Sequence, residues 1–162
     1  MTILYFILVP MLINGGLNFL NIIHRHPQYQ KFDYPIDFYL KINKQRLIGD
    51  SSTILGLALA LILGTFLGSI VYQDQPLGLT IGFAVFFGHS LGSFVKRRLN
   101  IKPGDFLPIV DHGDYIIISG IFLLFLNKIN LITFLGGLII TLIVHPVFCL
   151  LGFWLKIRNK KI

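Results

Sequence analysis

The feature that most constrains this chain is a series of long apolar runs containing no Asp, Glu, Lys or Arg. The first covers Thr2 to Ile23, and comparable runs follow at about Thr53 to Tyr72, Leu77 to Val95 and Ile129 to Leu155. About twenty consecutive apolar residues are what a helix needs to cross the hydrocarbon of a bilayer. A fifth, shorter run spans about Tyr115 to Leu126. The composition agrees: 54% of the 162 residues are hydrophobic, 13% are charged and mean hydropathy is +0.76. A soluble domain of this length could not cover its surface with so few charges, and a disordered segment would be far more polar. We therefore expect one all-α domain over residues 1–162, a polytopic membrane protein of about five helices. Its longer loops are 24–52 and 96–113. The first run lacks a basic leader and small residues before a cleavage point, so it reads as a span rather than a signal peptide.

The charges sort by side. Thirteen of the 14 Lys and Arg lie in the loop after the first run, the loop after the third and the C-terminal tail; Lys128 alone lies on the other side. Basic residues accumulate in the cytoplasm, so the N-terminus is expected outside and the C-terminus inside, in the cytoplasmic membrane. The net charge of +7 is thus topogenic, and no nucleic-acid partner is expected. All seven acidic residues are Asp, and six fall on the cytoplasmic side with the basic ones. The lack of Glu removes mechanisms built on paired glutamates. A single cysteine, Cys149, offers neither a disulfide framework nor a zinc cluster by cysteine count.

Helical spacing separates packing from chemistry. Gly56, Ala60, Gly64 and Gly68 recur every four residues, as do Gly78 with Gly82 and Gly88 with Gly92. Such stripes let helices approach closely. Asn14, Asn18 and Asn21 share a face that should point inward, for interhelical hydrogen bonds or for a polar headgroup.

Three segments could carry chemistry. Arg46-Leu47-Ile48-Gly49-Asp50-Ser51-Ser52-Thr53 joins a turn to a helix start. Its hydroxyls can cap the helix, and free amides there would suit phosphate. In Gly88-His89-Ser90-Leu91-Gly92-Ser93-Phe94-Val95-Lys96-Arg97-Arg98, residues His89, Ser93 and Lys96 form a polar stripe ending in a basic cluster. That cluster reads either as a phosphate site or as an anchor at anionic headgroups. Asp111-His112-Gly113-Asp114 puts two carboxylates three apart at a helix start, where they can share a hard divalent cation. His145, before Pro146, is expected to satisfy a freed backbone carbonyl.

In this order and spacing, the segments from Pro35 to the C-terminus resemble the CDP-archaeol synthase family of membrane cytidylyltransferases. The resemblance rests on Pro35-Ile36-Asp37, on Arg46 with Gly49-Asp50 and Thr53, on Ser93 to Arg98 continuing through Leu99-Asn100-Ile101-Lys102-Pro103-Gly104, and on Pro108 with Asp111 and Asp114. It implies a membrane enzyme that condenses CTP with a lipid phosphate, archaetidic- or phosphatidic-acid-like, giving CDP-lipid and pyrophosphate with Mg²⁺. On that reading Asp111, Asp114 and Lys96 are catalytic. Asp37, Arg46, Gly49, Asp50, Ser51, Ser52, Thr53, Arg97, Arg98 and Asn14 bind substrate, and Asp111, Asp114 and His89 hold metal. His89, Ser52 and Leu55 depart from the family pattern, which has an acidic residue at the first position and cations at the other two. An imidazole accepts Mn²⁺ more readily than Mg²⁺. The alternative is a non-catalytic relative, a lipid- or nucleotide-binding scaffold; a polar-solute carrier has less support because the polar groups collect at one mouth. Membrane lipids are partners on any reading, and a homodimer is allowed.

Overall fold

The computed structural model describes residues 1–23, 33–42, 45–48, 50–101 and 107–154, with only the backbone for 21–23, 108, 109 and 151–153. Gly49, Lys102, Pro103, Gly104 and the basic tail lie outside them.

Among the described residues, five helices form a bundle. They are α1 (Ile3–Ile23), α2 (Ile54–Leu67), α3 (Gln75–Arg98), α4 (Pro108–Phe125) and α5 (Leu131–Trp154). A wider π turn, Gly68–Tyr72, extends α2. Between α1 and α2 a small hairpin pairs β1 (Lys41–Ile42) with β2 (Gln45–Arg46). Among the described residues, α1, α2 with its π turn, α3 and α5 are long and apolar enough to cross a membrane. The chain is a multi-pass membrane protein.

Each boundary has a local cause. Thr53 caps α2, its Oγ1 accepting the Gly56 amide at 3.1 Å, and Asp74 caps α3 through the Leu77 amide at 2.9 Å. Either cap is worth about 1 kcal/mol. Asn100 and Asn127, just past the ends of α3 and α4, adopt φ of 58° and 54°, a left-handed conformation that Asn tolerates. The fourth helix begins at Pro108, ahead of the apolar run from Tyr115, with Asp111 in its first turn. Proline suits the first helical turn, whereas the polar Asp111 to Asp114 stretch hides that start from a hydropathy reading.

The α2–α3 contact is backbone on backbone. A Cβ at Gly64 would lie 2.5 Å from the Gly78 carbonyl oxygen, and one at Gly82 would lie 2.3 Å from that of Ala60. The small-residue stripe is therefore a true seam. Around it, Phe6, Val9 and Ile13 of α1, Ile81 and Val85 of α3, and Tyr115, Ile116 and Leu123 of α4 form the core. At the end opposite the hairpin, Lys128 reaches Asp74 at 3.5 Å. The asparagine face is only partly inward: Asn14 is buried, but Asn18 is exposed. Asn18 follows the buried Leu17 by one residue, about 100° around the helix and off the packed stripe, and the Asn21 side chain lies outside the described residues.

Candidate functional site

The polar residues gather at one end of the bundle, where the hairpin, the start of α2, the end of α3 and the start of α4 meet. The hairpin is organised by Asp37, whose side chain has 0% exposure. Its carboxylate takes a two-point contact from Arg46 (Nη2 at 2.7 Å, Nε at 3.3 Å) and accepts the amides of Tyr39 and Ile48 at 3.2 and 3.0 Å. Arg46 also reaches the exposed Asp50 at 2.7 Å and stacks its guanidinium over Tyr39. The Asp37 hydrogen bond is the largest influence holding the Arg46 charge firmly in place, its pKa raised above the ordinary guanidinium value. Asp37, Arg46 and Asp50, expected to touch substrate, thus touch one another.

The start of α2 corrects a second expectation. Its first amides are not a free anion cradle: Ile54 donates to the Tyr34 carbonyl (2.9 Å), Leu55 to the Asp33 carboxylate (3.0 Å) and Gly56 to Thr53. A carboxylate from the preceding loop already takes the place that phosphate would fill at a helix N-terminus. Ser52 is fully buried, with its hydroxyl lacking a hydrogen-bond partner. Ser51 turns the other way and meets Ser93 of α3, Oγ to Oγ, at 3.2 Å.

Between α3 and α4 lies the remaining constellation. Lys96 Nζ bridges both oxygens of Asp111 at 2.7 and 3.0 Å, and Asp111 also accepts the Leu107 amide at 2.7 Å. Asp114, nearly a turn further on, lies against Gly92, where a Cβ would stand 2.6 Å from its Oδ2. Gly92 is therefore what admits the carboxylate into the seam. His89 sits on the same α3 face as Ser93 and Lys96, and its Nε2 is buried without a hydrogen-bond partner. The three adjacent cations part company. Lys96 faces the carboxylates, Arg97 donates to the Ile101 carbonyl at 2.6 Å, and Arg98 donates to that of Arg46 at 2.9 Å. Arg97 and Arg98, expected on phosphate, thus place donors on main-chain oxygens, the second bracing the hairpin against α3. Asn14 is buried in α1, away from this end.

The donor set fits a hard divalent cation. Two carboxylates three apart on one helix can converge, and magnesium prefers such oxygen ligands. Sequence reasoning missed a second group, His112 of α4 with His145 and Cys149 of α5. His145 has a contact that its own sequence neighbourhood does not signal, its Nδ1 meeting that of His112 at 2.5 Å. The i, i+4 spacing of His145 and Cys149 was the available signal, and counting cysteines alone concealed it.

A family model described as CarS-like: CDP-archaeol synthase matches residues 32–161. The chain belongs to this family. A CDP-archaeol synthase of Staphylothermus marinus is 28% identical over 169 aligned positions, spanning 98% of this chain and 90% of its own length. One from Sulfolobus acidocaldarius is 31% identical over 132 positions, spanning 77% and 81%. A solved structure described as an intramembrane enzyme for archaeal membrane lipids biosynthesis aligns with a TM-score of 0.59 at 25% identity, covering 69% of this chain and 76% of that one. The family match includes the hairpin, the α3 stripe and the Asp111/Asp114 pair.

Proposed function

We propose that this protein is a membrane cytidylyltransferase that condenses CTP with an archaetidic-acid-like lipid phosphate, giving CDP-lipid and pyrophosphate. The observation that carries this reading is the α3–α4 seam at one end of an apolar bundle, which holds the Lys96–Asp111 ion pair and seats Asp114 against Gly92, in a chain of the CDP-archaeol synthase family. The lipid's phosphate oxygen attacks the α-phosphorus of CTP, and the bond to the β-phosphate's bridging oxygen breaks. The work left to the protein is positioning and charge stabilisation.

Asp111 and Asp114 would hold a divalent cation, Mg²⁺ in our reading, which supplies charge neutralisation across the nucleotide phosphates. Lys96, fixed by Asp111 at 2.7 Å, offsets phosphate charge from the α3 side. Ser51 and Ser93 would offer hydroxyls to phosphate oxygens, and His89 Nε2, buried and lacking a partner, would serve the cation as a further ligand. Arg46, Asp37 and Asp50 hold together the hairpin region ahead of α2, with Arg98 as its brace.

The site faces the cytoplasm, where CTP is found, in a protein whose N-terminus is outside. The test for orientation is labelling of intact cells by an impermeant thiol reagent: Lys128→Cys should react and Lys160→Cys should not. The reverse pattern overturns the topology. The test for activity mixes purified protein with CTP, Mg²⁺ or Mn²⁺ and a panel of lipid phosphates. Pyrophosphate should appear only when nucleotide, metal and lipid are all present. None across the panel would put a non-catalytic scaffold in front.

A further inference from the structure

The other side of α4 carries a different chemistry. His112 follows Asp111 by one residue, about 100° around the helix, and turns toward α5 rather than α3. Its Nδ1 lies 2.5 Å from that of His145, with the rings edge-on at 4.7 Å between centroids. Cys149, one turn beyond His145 on the same α5 face, completes a group whose candidate ligand atoms all lie within 4.8 Å of one another. His112 and Cys149 are buried. The Tyr115 ring stands 5.6 Å from that of His145, and the Tyr115 and Thr141 hydroxyls are buried without hydrogen-bond partners.

Two imidazoles and a thiol make a nitrogen and sulfur donor set, which selects thiophilic late-transition metals and disfavours magnesium. Ligand atoms around a tetrahedral zinc stand roughly 3.3–3.8 Å apart, given bonds near 2.0 Å to nitrogen and 2.3 Å to sulfur. The separations in this cluster, from 2.5 Å to at most 4.8 Å, straddle that range. Polar side chains are costly inside an apolar bundle unless they are bonded or ligated. Of the four long apolar helices, α5 buries the least of itself, so a bond between it and α4 has mechanical value.

We propose that His112, His145 and Cys149 bind one thiophilic metal ion of the zinc class and that this ion clamps α5 to α4. The site is separate from the oxygen ligands of Asp111 and Asp114, and the inference stands whether or not the chain transfers cytidylyl groups. Binding of Zn²⁺ displaces the thiol proton, leaving a thiolate on the metal, while both imidazoles remain neutral.

The test uses the full chain, purified in detergent and stripped with a chelator. Added Zn²⁺ should bind at one equivalent per chain and raise the melting temperature. Co²⁺ in its place should give a thiolate-to-cobalt charge-transfer band, and with a single cysteine in the chain that band reports Cys149 alone. Cys149→Ser should lose the band and the zinc-dependent stabilisation, whereas the Asp111→Asn/Asp114→Asn variant should keep both. If Cys149→Ser fails to fold, the wild-type cobalt spectrum still decides. Absence of the band in wild type, its persistence in Cys149→Ser, or loss of the zinc equivalent in the Asp double variant overturns the proposal.

Discussion

Helix α3 uses glycine twice, and the two uses differ. Near its start, Gly78 and Gly82 meet the backbone of α2, with a Cβ at Gly78 only 2.2 Å from the Gly64 carbonyl. Near its end, Gly88 and Gly92 meet α4; Gly88 packs against the Asp114 carbonyl and Gly92 against the Asp114 side chain. In both places the missing side chain lets two helices close up. Only the second admits an ionisable group, in the half of α3 that also carries Lys96. A small-residue stripe thus reports close approach, and what approaches decides whether the seam is structural or chemical.

The sharpest way to break this comparison is to remove the carboxylates while leaving both seams intact. Asp111→Asn/Asp114→Asn should lower CDP-lipid formation by about 100-fold or more, the scale of losing preorganised charge stabilisation, and abolish metal-dependent CTP binding with the melting temperature little changed. Undiminished nucleotide binding would remove the site. Gly92→Ala asks the same from the other helix. The added methyl must displace Asp114 Oδ2, so activity should fall by about tenfold or more while detergent stability changes by less than about 1–3 kcal/mol, the usual cost of overpacking. A loss of stability without loss of turnover would make this seam like the other one.

Gly64→Leu tests the structural half. Its side chain would enter the Gly78 and Gly82 backbone, so thermal unfolding should show a loss at the upper end of that 1–3 kcal/mol range, about 3 kcal/mol, with the activity of the folded fraction retained. An unchanged melting temperature would mean that this face meets lipid. The smallest effect concerns metal choice. If His89 borders the cation, His89→Asp should move the ratio of Mg²⁺- to Mn²⁺-supported activity toward Mg²⁺, because it adds an oxygen ligand where nitrogen stood. An unaltered ratio would place His89 away from the metal.

Much of this arrangement was legible in the residues because it is local. Uncharged runs mark spans, Thr53 marks a helix start, and glycine every fourth position marks a seam. The readings that failed depended on partners distant in sequence. Nothing near Ile54 or Leu55 says that Tyr34 and Asp33 will take their amides, and Asp37 and Arg46 are drawn together by a hairpin rather than a helical repeat. His112 and His145 are 33 residues apart and meet only because α4 and α5 pack. The Asp111/Asp114 pair was legible as a spacing, whereas its pairing with Lys96 required the α3–α4 contact.

The π turn at Gly68–Tyr72 has a consequence for how this chain could change by insertion or deletion. A π turn accommodates one residue more than the α-helix around it, and such turns mark single-residue insertions into a helix. Removing one residue between Gly68 and Tyr72 would let this segment close as an ordinary α turn, with the helical phase on either side largely kept. Tyr72, which donates to the Tyr5 carbonyl at 2.6 Å, would stay on the α1 side, and Asp74 would keep its register with the Leu77 amide it caps. The same deletion inside α2 would instead tear the glycine seam out of phase. The π turn is thus where the α2–α3 connection can gain or lose length at least cost to the bundle.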